Sequence, residues 1–422
     1  MNKSRVRALG VAVLKRVVWL RLIYRFGRRA QRQLVFRWQS RGGTDRALVV
    51  FESFNGRSYA GSPRALYEAM LRDPRFARCR FVWALREPGR SAQFPALDDP
   101  RTEVVHYRTT PYYRAFGTAR VWISNSIIAP EMSPRADQVY LQTWHGTPLK
   151  RIGLDVVATT ETAMNGKAEI DDRYREEAVK ISRFLSSAPF TTEAFATAFG
   201  LPAEGERTPF VETGQPRNDV LVNAGASQVA AARTKLRIEP GTKVILYAPT
   251  WRDDQHDSRS GYVYTQPLDI ARLHKTLGDG WLLLFRAHYL VTNTIDFAGH
   301  GDFVRDVSGV DDINDLCLAS DVLITDYSSI YFDYALLDRP MLFFMYDLAR
   351  YASALRGFYL PVEDVPGPVV RDQDELEAAL LAPDLGAAER PRRAELVARL
   401  APHDDGCAST RVLDLLAPEL SV

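Results

Sequence analysis

A histidine, a glycine, a threonine and a lysine lie close together in the first half of the chain, just after an apolar run. Residues 139–141 have the pattern of a buried strand, and Gln142-Thr-Trp-His-Gly-Thr-Pro-Leu-Lys150 continues from them. Open α/β sheets place their chemistry where strands run into such Gly/Pro-bearing turns. Because an imidazole that titrates near neutrality suits a general base, His145 is the predicted catalytic residue. A packing histidine near a turn is the alternative.

Three further polar stretches follow predicted strands in the second half of the chain. They are Thr250-Trp251-Arg252, Arg286-Ala287-His288 and Asp326-Tyr327-Ser328-Ser329, after the strands predicted at 244–248, 281–285 and 321–325. The carboxyl ends of parallel strands meet at one edge of a sheet, where ligands bind. The pattern therefore predicts one site that combines these stretches with the His145 turn.

The last of these stretches has the composition of an anion site. Ser328 or Ser329 is expected to cap the following helix and to leave its N-terminal N–H groups facing a phosphate or pyrophosphate. Arg252 and Arg286 would add bidentate hydrogen bonds to the same phosphates, Thr250 would line the site, and Asp326 would orient a neighbour. An ordinary capped helix and surface arginines are the alternatives.

Several common motifs are absent. The sequence contains no GxGxxG, no GxxxxGK[ST] and no GxSxG, which gives little support to a dinucleotide, P-loop or hydrolase site. The pairs Asp253-Asp254 and Asp311-Asp312 are read as solvated loop acids, with a cation site as the alternative. No metal and no cofactor are assigned.

The length and the order of elements predict two domains. A chain of 422 residues exceeds one core. Apolar strand patterns alternate with helical patterns or loops, which favours doubly wound parallel sheets and two Rossmann-like halves facing a cleft. The predicted divisions are 1–43 for a basic segment, 44–222 for the N-terminal domain, 223–385 for the C-terminal domain and 386–422 for terminal helices. The three cysteines lie far apart and fit a reducing compartment.

Charge is concentrated at the N-terminus. Residues 1–41 carry twelve Lys/Arg and no acid, so the net charge of +2 leaves −10 for the remainder. This segment is predicted to be a cationic amphipathic helix on an anionic cytoplasmic membrane surface, a peripheral attachment without a span. A helix packed on the body and an RNA-binding arm are the alternatives, although an acidic body argues against nucleic acid. The predicted membrane residues are Lys3, Arg7, Trp19, Arg21, Arg25, Arg28 and Arg29.

Taken in order, several motifs resemble one family. They are Glu52-Ser-Phe-Asn-Gly-Arg57, Gln142 to Lys150, Gly214-Gln-Pro-Arg-Asn-Asp219, Tyr247-Ala-Pro-Thr-Trp-Arg-Asp253, Phe285-Arg-Ala-His288, Ser320 to Ser329 and Arg339 to Asp347. Together they are similar to the CDP-glycerol glycerophosphotransferase family, which builds teichoic-acid-like polyol phosphate polymers. The resemblance runs from about residue 47 to residue 380.

The resemblance implies a GT-B fold and places the family's two motif histidines on His145 and His288, which are the two predicted catalytic residues. It places the family's donor-phosphate serines on Ser328 and Ser329. The predicted substrate-binding residues are Gly146, Thr147, Thr250, Trp251, Arg252, Arg286, Asp326, Tyr327, Ser328 and Ser329. The large polymerases of the family carry a long extra N-terminal region, whereas this chain has a short basic segment and resembles the single-module members.

The sequence therefore predicts a transferase that moves glycerol phosphate or ribitol phosphate from its CDP-activated donor to a hydroxyl of a membrane-linked or polymer acceptor. CMP is released, and the product belongs to teichoic-acid or capsule-like polymer synthesis. A GT-B glycosyltransferase that uses a nucleotide sugar and a non-catalytic GT-B scaffold are the alternatives. The motifs leave open which polyol is transferred, the identity of the acceptor and whether one unit or many are added.

Overall fold

The computed structural model describes residues 18–157, 166–250, 256–257, 261–262, 267–287, 297, 299–348, 357–361 and 364–420. Within them the chain forms two separate parallel sheets, one after the other, each covered by helices.

The first sheet lies in the N-terminal half. Its parallel strands are β1 (Asp45–Glu52), β2 (Arg80–Leu85), β3 (Thr102–His106), β4 (Ala119–Ser124), β5 (Val139–Gln142), β6 (Arg183–Ser186) and β7 (Phe210–Glu212). Their order in space is β3-β2-β1-β4-β5-β6-β7, so the chain reverses direction across the sheet between β1 and β4. That reversal is the topological switch point at which such sheets bind ligands. The accompanying helices are α1 (Val18–Gln39), α2 (Gly61–Arg72), α3 (Thr110–Thr118), α4 (Lys167–Ala178) and α5 (Pro189–Phe199).

The second sheet repeats this arrangement. Its strands are β8 (Lys243–Ala248), β11 (Trp281–Phe285), β12 (Val304–Asp306), β13 (Val322–Thr325), β14 (Met341–Phe344) and β15 (Val369–Val370). The helices of this half are α6 (Asp219–Val222), α7 (Ala226–Lys235), α8 (Ile270–Leu277), α9 (Ile313–Ala319) and α10 (Ile330–Tyr334). Between β8 and α8 lies a separate, short antiparallel pair, β9 (His256–Asp257) and β10 (Gly261–Tyr262). The parallel order is β12-β11-β8-β13-β14-β15, with the reversal between β8 and β13. The polar stretches after β8 and β13 are therefore neighbours.

The last helices divide between the two halves. Helices α11 (Gln373–Leu381) and α12 (Arg390–Leu400) pack on the second sheet, and Leu396 and Leu400 lie in its core. Helix α13 (Ala408–Leu416) returns to the first half, where Val412 and Leu413 pack with residues of β1 and α2. The predicted domain limits stay a prediction, and this crossing shows that the core of the first half includes residues from the far end of the sequence.

The strands predicted at 139–141, 244–248, 281–285 and 321–325 are present as β5, β8, β11 and β13, with ends within one residue of those predicted. The predicted alternation of strand and helix is confirmed. It can be read from the sequence because fully buried parallel strands carry unbroken apolar runs. Helix α13 falls within the terminal helices predicted at 386–422. Several elements were not predicted: β7, α8, β12, α9 and β15. The strands among them are only two or three residues long and lack a long apolar run.

Candidate active site

His145 lies in a sharp turn just past the carboxyl end of β5. Trp144 before it has a φ of 50° and Gly146 after it a φ of 141°, so the residues on both sides of His145 lie outside the ordinary β and α regions. The Trp144 ring is buried among Phe184, Phe195 and other aromatic side chains. This anchored tryptophan stacks on the imidazole with ring centroids 4.5 Å apart and fixes where the histidine stands.

Asn125 sets the tautomer of His145. The Nδ1 atom of His145 lies 2.8 Å from the main-chain oxygen of Asn125. A carbonyl oxygen only accepts, so Nδ1 carries the proton and Nε2 keeps its lone pair. The Asn125 side chain accepts from the N–H of Phe54 at 2.7 Å and donates to Ser53 at 3.0 Å, which ties the loop after β1 to the same point. Asn125 was not singled out from the sequence, where it reads as a polar residue ending a strand.

The surroundings of His145 favour its neutral form. Its side chain reaches solvent, but Trp144 and Phe54 pack against the ring. Partial shielding of the ring by these two side chains lowers the pKa of His145 to about 4 and outweighs the hydrogen bond to Asn125, which raises it; the Arg217 guanidinium also lowers it. The free site therefore favours the neutral imidazole, which is the form that a general base needs.

In the second half, Asp326 organises the ends of β8 and β13. Its Oδ1 accepts from the N–H and the hydroxyl of Thr250, at 2.8 and 2.6 Å, and from the N–H of Tyr327 at 2.6 Å. The Tyr327 hydroxyl donates to Asp347 at 3.2 Å. Asp326 is buried and orients a neighbour, as predicted, and that neighbour is Thr250.

The two serines do not cap the following helix as predicted. Ser329 occupies the N-cap position of α10, but it has helical φ and ψ angles and makes no side-chain capping bond. Both Ser328 and Ser329 are half-buried. The five-residue helix turns into a 3-10 turn at 335–337, so its dipole contributes less than that of a long helix.

The two halves meet at Gly146. A Cβ atom on Gly146 would lie 2.9 Å from Nη2 of Arg217 and 4.0 Å from the hydroxyl of Ser329. The guanidinium cannot give way, because Nη2 of Arg217 bonds both carboxylate oxygens of Asp333 in α10 at 2.7 Å. Glycine is required here by its positive φ and by this approach. The His145 turn is thus held against the serine loop of the opposite half.

Charged and main-chain contacts on either side of this point join the halves. Asp312 bonds Arg64 at 3.3 Å, and Asp311 bonds Arg90 at 2.6 Å. The reading of Asp311-Asp312 as solvated acids or a cation site is therefore wrong, because they pair with arginines of the first half. On the other side, residues 149–151 form a backbone bridge with residues 357–359.

Two residues that were predicted to bind substrate already form hydrogen bonds within the protein. Arg286 donates to the carbonyls of Val310 at 2.7 Å and Val307 at 3.4 Å, and burial lowers its pKa. The Thr147 hydroxyl is buried and accepts from the amide of Gln215 at 3.4 Å. His288, Trp251 and Arg252 lie outside the described residues, as do Asp253 and Asp254.

The predicted membrane residues fall on or before α1. Lys3 and Arg7 lie outside the described residues; Trp19, Arg21 and Arg25 are in the helix, but their side chains are not described, and Arg28 is exposed. Arg29 forms an ion pair with Glu176 of α4 at 2.9 Å, so it docks the helix on the body. No helix in the described part of the chain is long and apolar enough to span a bilayer.

A cavity of about 650 Å³ lies on the other side of Arg217, between α2, residues 216–223, the start of α9 and α13. Five acidic and three basic side chains line it: Glu68, Asp73, Asp219, Asp312 and Asp315 against Arg64, Arg72 and Arg217. An excess of acids disfavours a phosphate-bearing ligand. The cleft at His145, not this cavity, is the better candidate for anionic substrates.

Comparison with known proteins identifies relatives along most of the chain. The sequence model described as CDP-Glycerol:Poly(glycerophosphate) glycerophosphotransferase matches residues 34–417. The teichoic acid glycerol-phosphate transferase of Staphylococcus aureus is 36% identical over 369 residues, which are 86% of this chain and 91% of that protein. The teichoic acid poly(glycerol phosphate) polymerase of Staphylococcus epidermidis is 38% identical over 76% of this chain, and that of Bacillus subtilis is 36% identical over 82%. This chain spans less than half of the length of those two polymerases, 43% and 45%.

Solved structures of the wall teichoic acid polymerase TagF share the fold. One matches with a TM-score of 0.82 at 31% identity and covers 100% of this chain and 99% of that chain; another, of a variant soaked with CDPG, matches with a TM-score of 0.83 at 32% identity over 97% and 98%. The GT-B fold of two Rossmann-like domains is confirmed. The resemblance inferred from the motifs is confirmed as well.

Proposed function

Because the chain belongs to the CDP-glycerol:poly(glycerophosphate) glycerophosphotransferase family, we propose that it transfers a polyol phosphate from a CDP-activated donor to an acceptor hydroxyl in the synthesis of a teichoic-acid-like polymer. Glycerol phosphate is the favoured unit. Four glycerol-phosphate relatives, a transferase and three polymerases, align over 76–86% of this chain. Three ribitol-phosphate polymerases align over 46–58% and a glycerol-phosphate primase over 57%.

The reaction is a phosphoryl transfer with His145 as general base. The acceptor oxygen attacks the β-phosphorus of the donor, the bond from this phosphorus to the bridging oxygen breaks, and CMP leaves with that oxygen. The proton of the acceptor hydroxyl passes to Nε2 of His145, which is unprotonated because Nδ1 donates to Asn125. Such reactions ask the protein mainly for positioning and for stabilisation of charge.

The low pKa of His145 fits this role once the donor is bound. In the free site the imidazole is neutral throughout the physiological range, so it is ready to accept a proton. A pyrophosphate placed beside Ser328 and Ser329 brings negative charge to within a few ångströms, which raises the pKa of a neighbouring imidazole. The base therefore becomes stronger in the complex in which it acts.

The observation that carries the proposal is the meeting of the two halves at Gly146. A donor phosphate held by the hydroxyls of Ser328 and Ser329 lies against the turn that bears His145, since Ser329 stands 4.0 Å from the Cβ position of Gly146. Thr250, fixed by Asp326, borders the same edge. His288, Trp251 and Arg252 are proposed to complete the donor site on the resemblance of their motifs.

The outer face of α1 supports attachment to a membrane that carries the acceptor. Phe36 packs into the core, while Phe26, Leu34 and Trp38 are 75%, 66% and 63% exposed. The segment around them is rich in arginine and has no acid. Exposed large apolar side chains among cationic ones are the composition of helices that lie on anionic lipid. The protein is thus proposed to be peripheral on the cytoplasmic face.

The test is CMP release from CDP-glycerol, CDP-ribitol and a nucleotide sugar, with anionic vesicles that carry a lipid-linked glycerol phosphate acceptor. We expect acceptor-dependent release from CDP-glycerol by the wild type and none by His145→Ala. Consumption of the nucleotide sugar alone would establish a glycosyltransferase instead. No turnover of any donor with a range of polyol-phosphate acceptors would favour a scaffold.

A further inference from the structure

The turn that carries His145 is held in place by the side chain of Gln142, the last residue of β5. The Oε1 atom of Gln142 accepts from the N–H of Trp144 at 2.9 Å. Trp144 is a non-glycine residue with positive φ, a conformation that persists only where its surroundings enforce it. The Gln142 side chain supplies one such constraint on the residue directly before the histidine.

Gln142 is itself immobilised. It is fully buried, and its Nε2 donates to the Tyr140 hydroxyl at 2.8 Å and to the Ser126 carbonyl at 3.2 Å. Residues two apart on a strand share a face, which brings Tyr140 and Gln142 together. Neither the oxygen nor the amide group of Gln142 can turn away without leaving a buried polar atom unpaired.

A buried carboxylate on α4 anchors this arrangement. Glu177 Oε1 accepts from the Tyr140 hydroxyl at 2.6 Å and from the N–H of Ile128 at 3.2 Å, and it lies 3.5 Å from Nε2 of Gln142. Lys180 lies 3.7 Å from the other carboxylate oxygen. The chain of contacts runs from α4 through Tyr140 and Gln142 to the main chain of Trp144, whose ring stacks on His145.

We infer that Gln142 is a positioning residue of the transferase, which acts through Trp144 to hold the His145 imidazole in the orientation that presents Nε2 to the cleft. This inference rests on the proposed role of His145 as base. Gln142 does not touch substrate. Its loss should therefore lower kcat and leave the KM for the donor unchanged, because the donor contacts lie in the opposite half.

The matched control is Gln138, just before the amino end of the same strand. Gln138 is also buried and fully bonded, with its amide donating to the carbonyls of Phe116 and Ala119 and its oxygen accepting from Arg135. Gln142→Met and Gln138→Met remove the same chemical group from opposite ends of β5, one beside the site and one remote from it.

The experiment measures kcat and KM for CMP release together with the nitrogen chemical shifts of the histidine rings, with His145→Ala used for assignment. Displacement of a catalytic group by about 1 Å costs about 100-fold. For Gln142→Met we expect kcat to fall 10- to 100-fold at unchanged KM, and His145 to lose its single Nδ1–H pattern. Gln138→Met should change neither.

Equal kcat values for the two folded variants, or a rise in KM alone, would overturn the inference. If Gln142→Met does not fold, Gln142→Asn and Gln138→Asn replace the pair, since the shorter side chain keeps the amide but cannot reach Trp144. If the wild type turns over no CDP-polyol, the proposed function fails, and the histidine shifts alone decide whether Gln142 positions the ring.

Discussion

Removing Arg217 should destabilise the protein strongly, because it leaves a buried carboxylate without its partner. Arg217 is 7% exposed and Asp333 is 4% exposed, and one guanidinium nitrogen bonds both carboxylate oxygens at 2.7 Å. Burial raises the pKa of Asp333 while Arg217 lowers it. In Arg217→Met the apolar stem of the side chain is kept and the charge is lost.

The size of the effect follows from the burial of both ions. Two unit charges about 4 Å apart attract by about 4 kcal/mol at an effective dielectric constant of about 20. Loss of one partner of a buried pair typically costs about 3–5 kcal/mol, since the remaining charge stays out of water. For a domain of roughly 200 residues, this corresponds to a fall in Tm of about 6–20 °C.

Arg233 offers the matched control. It bonds both carboxylate oxygens of Asp321 at 2.8 and 2.7 Å, but the side chains are 21% and 43% exposed. Pairs of this kind contribute about 0–1 kcal/mol. Thermal unfolding by circular dichroism should show a small shift for Arg233→Met and a large one for Arg217→Met.

The double variant Arg217→Met/Asp333→Asn tests the cause. Removing the second charge should recover at least about 2 kcal/mol of the loss, because the penalty comes from the unpaired carboxylate. If the two substitutions add without coupling, or if Arg217→Met and Arg233→Met shift Tm equally, the ion pair does not join the two halves in the way described.

Three further outcomes are expected. In the pH profile of kcat/KM, the loss of activity on the acid side should reflect the pKa of His145 in the free site, about 4. In the profile of kcat this loss should occur at higher pH, because bound pyrophosphate raises the pKa of His145. Loss of both parameters at the same pH would contradict this prediction. Gly146→Ala should abolish turnover and lower Tm, since its Cβ meets Arg217, whereas Gly166→Ala, with nothing within 4 Å, should be nearly silent in both assays. Leu34→Asp with Trp38→Asp should release the protein from anionic vesicles in a flotation assay and leave CMP release with a water-soluble glycerol phosphate acceptor unchanged; retained binding would remove α1 as the anchor.

The sequence predicts the sheets and the edge at which the site lies, because both are local signals. The strands before Thr250 and His145 are continuous apolar runs, and each is followed at once by its polar turn. Parallel strands end on one side of a sheet, so a one-dimensional pattern is enough to collect these residues.

The partners that hold the site in place could not be read from the sequence, because they are distant along the chain. Asn125 meets His145 across 20 positions, Gln142 meets Glu177 across 35, and Arg217 meets Asp333 across 116. Each is an ordinary polar residue in its local context, and only the fold brings the pairs together.

The path of α13 has a consequence for the order of folding. The core of the first domain contains Val412, Leu413, Leu416 and Leu420, which are translated after the whole of the second sheet. Domains usually fold one by one as the nascent chain emerges. Here the N-terminal domain cannot complete its core until residues 408–420 leave the ribosome, and part of its apolar surface stays exposed until then. Chaperone binding to the incomplete domain should be strongest during this period.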